Sequence, residues 1–528
     1  MQEIVKKMKG PARIFSAKLD GINAELIEVE TDINVGLHAF NIVGLADKSV
    51  SEAKERVNPA LKNSGIKPPT KENRRITVNL APADIKKIGS QFDLAIALAY
   101  LSASDQIKEF ETQDKIFVGE LSLDGNLRGI NGGLNIAQLA KKSGFKYLFV
   151  PEANAEEAAI IKEISVIPVS NLKALIAHLE NQTIIPTQPP TAFIPDNQSS
   201  LVNFDDIKGQ ENAKRALALA AAGGHNILMI GPPGTGKTMM AQALISLLPS
   251  LTLAEAIEIN QVYSAAGLLK KNFFINYRPF RSPHHSSSLV SLIGGGSYPK
   301  PGEISLAHRG ILFLDEFPEF HRDLLEALRQ PLENGVINIS RAKKTLSFPA
   351  NLTLVAAMNP CPCGYFGDPQ KECRCGAYEV FRYQKKISGP LLDRIDIQIE
   401  VPRVEISELR KKNPCLPAGQ TGLPDSANQT LKSKIAAARK IQVRRFQNFK
   451  SKVYTNSEMT SKQVEAVVHF DDSAENFLKN VLEKTFLSGR GYYRILKIAQ
   501  TIADFEASEK ITSDHLAEAY QYRTRESN

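Results

Sequence analysis

GPPGTGKT, residues 231–238, decides the reading of this chain. It fits G-x-x-x-x-G-K-[ST], in which glycines let backbone N–H groups curl round phosphate oxygens while a lysine and a hydroxyl complete the cradle. The flanks are those the motif needs. NILMI (226–230) reads as a strand leading in, and TMMAQALISLL (238–248) as a helix leading out. Gly231, Pro232, Pro233, Gly234, Thr235 and Gly236 then form the loop. Lys237 supplies charge for the outer phosphates of ATP, and Thr238 ligates Mg2+. Further along, the apolar strand ILFLDEF (311–317) delivers Asp315 to the magnesium and Glu316 to the attacking water. NLTLVAAMN (351–359) is another buried strand, and its last residue, Asn359, can orient that water. Loop and acidic strand together predict binding and hydrolysis of ATP.

Outward from the loop, strands and helices alternate over 203–402, the pattern of a doubly wound α/β core. Residues 12–180 also mix strand-like runs (ELIEVET, RRITVNLAP) with helical ones (FDLAIALAYLSA, GGLNIAQLAKKSG), so they form a domain of their own behind a tail over 1–11. A polar, proline-rich linker covers 181–202, and a second linker or insertion covers 403–429. Residues 430–528 read as helices. A multi-domain α/β protein is the result, as 528 residues are too many for one core. With 43% apolar and 23% charged residues, a disordered chain is excluded. The opening MQEIVKKMKGPARIF has charge but no apolar segment, so no secretory leader is expected. The apolar stretch around Ala216–Ala222 is too short to span a bilayer, so the cytoplasm is the expected location, with no membrane partner. A net charge of +8 permits nucleic-acid binding without demonstrating it.

Other residues carry chemistry less decisively. Arg394 in LLDRID, and Arg490 and Arg494 in FLSGRGYYR, have the guanidinium fork that suits a γ-phosphate. For any one of them, a surface ion pair is the better reading of the residues alone. Cys361, Cys363, Cys373 and Cys375 form C-x-C-x9-C-x-C, a set able to hold structural Zn2+ tetrahedrally; four reduced thiols is the alternative. Cys415 stands apart. Residues 431–452 hold eight Lys or Arg and no acid, as the face of a helix or as a DNA flank. His284 and His285 adjoin in RSPHH and so point different ways; they read as structural polar contacts, not a metal pair.

The order FDDIKGQENAKRAL, GPPGTGKT, RPFRSPHHSSS, GGGSYPKPGEISLAHRGILFLDEFPEF, LRQPLENG, MNPCPCG, SGPLLDRID and SGRGYYRILKIAQTIAD resembles the magnesium-chelatase-like AAA+ ATPases, and among them the YifB/ComM family. The resemblance implies a Lon-protease-like (S5-like) α+β domain at the amino terminus. It implies an AAA+ core with a helix-2 insert between Ser282 and Ser305, and a carboxy-terminal helical lid. Asn359 becomes sensor 1, Arg394 the finger serving a neighbouring subunit and Arg490 sensor 2, with Arg494 a further candidate. Ile207 and Gly209, in the turn IKGQ, would line the adenine pocket. A hairpin over Gly335–Pro349 would carry Arg341, Lys343 and Lys344 at its tip, gripping DNA phosphates in the pore of a homohexamer. The activity implied is a motor on single-stranded or branched DNA, promoting branch migration during recombination and integration of transforming DNA. Three rivals remain: a magnesium-chelatase motor subunit, an ATP-dependent peptidase and a transcription-regulating ATPase. The peptidase needs a serine and a lysine that the family pattern places at Phe92 and Asn135; Ser90 lies two residues off, and asparagine accepts no proton. The amino-terminal domain is therefore expected to be non-catalytic.

Overall fold

A computed structural model describes residues 11–71, 73–196, 202–269, 274–296, 299–341, 344–405, 427–447, 449, 453–484 and 488–523. Lys343 and Cys415, both singled out above, lie outside the described residues, as does most of the expected insertion. The chain divides into two compact units. One extends through Ile194 and includes Ile257–Ile275; the other comprises Pro195–Ala256 and the chain from Asn276 onward. No helix among the described residues is long and apolar enough to cross a membrane.

The first unit is built on a mixed sheet. Its strands are β1 (Ala12–Asp20), β2 (Asn23–Val35), β3 (Ala39–Val43), β4 (Arg74–Ala81) and β5 (Lys115–Phe117). After the small hairpin of β6 (Glu120–Leu121) and β7 (Leu127–Arg128) come β8 (Tyr147–Pro151) and β9 (Ser165–Val169). The order is β3-β4-β2-β1-β5-β8-β9: β2 runs antiparallel to β1 and β4, and the other pairs are parallel. Helix Asp93–Ala103 is buried from Asp93 through Leu101, as its run DLAIALAYL demands. Asp93 enters that core by accepting from Arg56 Nε at 2.6 Å and Nη2 at 2.9 Å. Burial pushes its carboxyl up to about 6 even against the Arg56 charge.

The second unit holds a five-stranded parallel sheet. Its strands are β10 (Ile227–Ile230), β11 (Phe280–Arg281), β14 (Ile311–Leu314), β17 (Thr353–Met358) and β18 (Ile397–Glu400), in the order β11-β14-β17-β10-β18. Two hairpins interrupt the series: β12 (Gly294–Gly295) with β13 (Lys300–Pro301), and β15 (Val336–Arg341) with β16 (Lys344–Pro349). The sequence ILMI, ILFL and TLVAAM is buried throughout, because both faces of a parallel sheet are covered. Alternate side chains feed two cores. Met229, Phe313 and Val355 join one, and Leu228, Leu314 and Leu354 the other. The first core continues through helix Glu211–Gly223 into helices Ala427–Phe446, Gly489–Phe505 and Ser513–Gln521, so the carboxy-terminal helices and the sheet share one apolar interior.

Candidate active site

The phosphate-binding loop is the turn from β10 into helix Lys237–Leu247. Gly234 (φ +80°) and Gly236 (φ +85°) take the left-handed conformation that turns the loop's amides inward, a geometry costly for any residue with a Cβ. The helix's first-turn N–H groups have no intrahelical partners, so the loop is an anion cradle by construction. Lys237 Nζ folds over it, donating to Gly231 O at 2.7 Å and Pro232 O at 2.9 Å, and lies 3.4 Å from Asn359 Oδ1. Burial lowers its ammonium to about 8, opposed by the charge of Asp315. The hydroxyl of Thr238 donates to Asp315 Oδ2 at 2.9 Å. A hydroxyl and a carboxylate in contact below a phosphate cradle are a fitting pair for Mg2+.

Glu316 follows β14 in the left-handed region (φ +50°), unusual for a residue with a side chain. Its amide donates to Asp315 Oδ1 at 2.9 Å. Its carboxylate Oε2 lies 3.1 Å from His285 Nδ1, and the His284 ring stands beside that of His285 at 4.1 Å between centroids. The histidine pair is thus a polar contact, and the sequence did not reveal its partner. β11, which leads into RSPHH, is the sheet neighbour of β14, and no sequence pattern discloses that order.

Ile207 is buried after the turn Phe204–Asp206, which packs on helix Lys237–Leu247. Gly209 (φ +63°) and Gln210 (φ +60°) then turn the chain into helix Glu211–Gly223, and the Gln210 amide donates to Pro402 O.

The three arginines stand elsewhere. Strand β10 has the cradle at its carboxyl end; at the amino ends of β10, β14, β17 and β18 is a cavity of about 670 Å3, lined there by Asn226, Gly310, Thr353 and Asp396. Arg394 and Arg490 reach into it and share one carboxylate. Arg394 Nη2 pairs with Glu333 Oε2, and Arg490 Nη2 with Glu333 Oε1 at 3.0 Å. The Arg394 side chain is only 6% exposed, and its Nε has no hydrogen-bond partner among the described residues. Arg494 pairs with Asp396 and donates to Arg394 O at 3.0 Å. Lys237, Thr238, Asp315, Glu316 and Asn359 therefore converge at the carboxyl ends of the strands, while Arg394, Arg490 and Arg494 gather beside the cavity at their amino ends.

The four cysteines come together. Their sulfurs all lie within 4.8 Å of one another, with 3.4 Å between Cys361 and Cys363, 3.7 Å between Cys361 and Cys373, and 3.6 Å between Cys363 and Cys373. Tetrahedral zinc with bonds of about 2.3 Å wants sulfurs about 3.8 Å apart, so the set fits that ion. Backbone N–H groups of Arg374 and Tyr365 draw the Cys363 thiol down to about 6, while loss of hydration and the neighbouring sulfurs push the Cys373 and Cys375 thiols up. In the hairpin β15–β16 the register sets Arg341 opposite Lys344, so both flank its tip; their side chains lie outside the described residues.

Known proteins give this geometry a family. The model "Magnesium chelatase, subunit ChlI" matches residues 203–409, "Subunit ChlI of Mg-chelatase" 29–154, and "Magnesium chelatase, subunit ChlI C-terminal" 425–523. Competence protein ComM of Haemophilus influenzae is 42% identical over 523 residues, 97% of either chain. The uncharacterized protein YifB of Escherichia coli is 41% identical over 503 residues, 95% of either chain. The chain belongs to the ComM/YifB family. As a magnesium-chelatase-like member, this ComM/YifB protein is an AAA+ ATPase, with ATP and Mg2+ as its cofactors. It also shares 27% identity over 201 residues, 37% of its length, with the archaeal Lon protease of Methanocaldococcus jannaschii.

In this ComM/YifB chain the positions of a serine–lysine pair hold other chemistry. Phe92 is buried at the start of helix Asp93–Ala103. Asn135, 2% exposed, donates through Nδ2 to Ile22 O at 2.6 Å and Gln261 O at 3.1 Å. It ties backbone segments together and offers no base.

Proposed function

We propose that this AAA+ ATPase is a DNA motor that works as a homohexameric ring and promotes branch migration during recombination and the integration of transforming DNA. The observation that carries the ring is the separation just described. Lys237 holds the β and γ phosphates, Thr238 and Asp315 the magnesium, and Glu316 with Asn359 the water, all at the carboxyl ends of the strands. Arg394 and Arg490 lie at the amino ends, where a guanidinium serves a phosphate of another chain far better than its own. Ile207 and Gly209 line the adenine side. Arg341, Lys343 and Lys344 at the hairpin tip grip the DNA backbone. The kinship with a competence protein supports DNA as the polymer.

The amino-terminal unit acts as a non-catalytic Lon-like module, and Cys361, Cys363, Cys373 and Cys375 hold one structural zinc; the side chains already described support both readings. The cytoplasm is the fitting compartment for reduced thiols beside an ATPase.

The test is unwinding of forked, three-way and four-way DNA junctions by the parent and by Glu316→Gln. The parent should move junctions only with hydrolysable ATP, and Glu316→Gln should bind ATP and DNA yet leave junctions intact. No unwinding of any junction by an ATPase-active parent would sink the DNA reading. Activity in driving Mg2+ into a porphyrin with partner subunits would then favour the chelatase motor that the family models name.

A further inference from the structure

β17 ends at Met358, and the chain then runs through Asn359 and Pro360 directly into Cys361, which is fully buried. One short stretch thus carries both the residue beside Lys237 and the first thiol of the cluster. The cluster also comes back onto the phosphate-binding loop. Gly364 closes a turn by donating from its amide to Cys361 O at 3.0 Å, in a left-handed conformation (φ +87°). A Cβ placed on Gly364 would stand 2.8 Å from Cδ of Pro233 and 3.8 Å from Cγ of Asn359. The backbone of the cysteine loop therefore lies flush against Pro233, in the middle of GPPGTGKT, and a Cβ there would force one of the two to shift. The loop makes further contacts, among them the Arg403 guanidinium 5.5 Å from the centroid of the Tyr365 ring. Phe366 N donates to Cys361 Sγ at 3.3 Å, Gln384 Nε2 to Pro360 O at 3.0 Å, and Arg403 Nε to Asp368 Oδ2 at 2.8 Å.

We propose that the four-cysteine loop is a metal-dependent clamp on the nucleotide site: zinc bound by Cys361, Cys363, Cys373 and Cys375 seats Gly364 against Pro233 and thereby sets the affinity for ATP. The reasoning is entropic and steric. A loop closed by four thiolates on one ion holds a single conformation, whereas four thiols without it hold each other weakly. Packing on Pro233 favours the closed phosphate loop only while Gly364 stays in place. Because the two sites meet at that point, zinc must raise ATP affinity by the same factor by which ATP raises zinc affinity. The clamp rests on the zinc reading given above.

Full-length protein purified without chelator is analysed for zinc, and binding of a fluorescent, non-hydrolysable ATP analogue is titrated before and after chelation. Chelation should weaken binding by about 5- to 10-fold, at the lower end of measured couplings between sites, and one equivalent of zinc should restore it. Zinc affinity, measured by equilibrium competition with a colorimetric chelator, should rise by a comparable factor when the analogue is bound. Gly364→Ala should keep its zinc and still bind the analogue several-fold more weakly. Lys237→Ala should keep its zinc while losing the analogue. Protein that purifies without zinc overturns the zinc reading and the clamp together. Zinc-loaded protein whose affinity is unmoved by chelation and by Gly364→Ala leaves a structural zinc in place and overturns the clamp alone.

Discussion

Lys237 carries a lowered ammonium pKa because its Nζ is buried away from water before any phosphate arrives. In the free protein it sheds its proton as pH rises through about 8; beside phosphates the charged form is favoured and holds it to higher pH. ATP binding should therefore take up a proton above about pH 8, and Kd should rise with pH there, approaching tenfold per unit, while staying flat below. Calorimetry at pH 7 and 9 in buffers of different ionisation enthalpy measures that proton; equal uptake at both pH values would remove Lys237 as its source. His285 makes the second case at this scale. Held 3.1 Å from Glu316, it fixes the rotamer of a carboxylate whose backbone is already strained. His285→Ala should lower kcat by up to about 100-fold with little change in KM, and His285→Gln should recover part of the loss. Equal kcat for parent and alanine variant would make the pairing mere packing. The cradle residues were legible because their chemistry is contiguous in sequence. His285 and Glu333 were not, because each meets its partner only through strand order or across the cavity.

At the scale of elements, helix Ala427–Phe446 shows how far a charge run can mislead. Its basic residues do not form one face. Arg439 turns inward to donate to Ala221 O at 2.7 Å, and Arg445 pairs with Asp504, whose side chain is 1% exposed. Lys432, Lys434 and Lys440 remain on the surface. Removing Arg445 leaves a buried carboxylate with only the amides of Asn456 and Gln500 and no countercharge, so Arg445→Ala should lower stability by about 3–5 kcal/mol in urea unfolding, with Lys432→Ala near zero. Replacing Arg341, Lys343 and Lys344 together by alanine should leave basal ATPase intact while DNA stimulation and junction unwinding fall together. The salt dependence of single-strand binding should also flatten, by about 0.7 in log–log slope for each phosphate no longer neutralised. A triple variant that unwinds at the parental rate would place the DNA grip elsewhere. The strands themselves were plain in the sequence, since ILMI, ILFL and TLVAAM are apolar on both faces, as a parallel sheet requires.

At the scale of the whole molecule, the proposed ring would make hydrolysis a property of neighbours. Arg394→Ala should keep ATP affinity and lose most turnover. Mixing it with Lys237→Ala should restore activity above either variant alone, because some interfaces then pair an intact cradle with an intact arginine. Turnover of the parent should rise with protein concentration as chains associate. Arg394→Ala with parental turnover at saturating ATP would pass the role to Arg490.

Sequence reading set a boundary at the proline-rich linker, yet Ile257–Ile275 belongs with the chain before it. Periodicity identifies a helix such as Leu253–Ala266 without naming the core that helix completes. The consequence is one of timing. On the ribosome the first unit stays unfinished until Ile275 has emerged, about 80 residues after Ile194. At ~5–20 residues per second that delay is roughly 4–16 s. Through it, Asn135 lacks the Gln261 carbonyl and Glu157 lacks the Ser264 hydroxyl. Meanwhile β10 and the phosphate-binding loop are already being made. The nascent chain thus has two half-built interiors at once, and a stall between 194 and 275 leaves the earlier one open to chaperones and proteases.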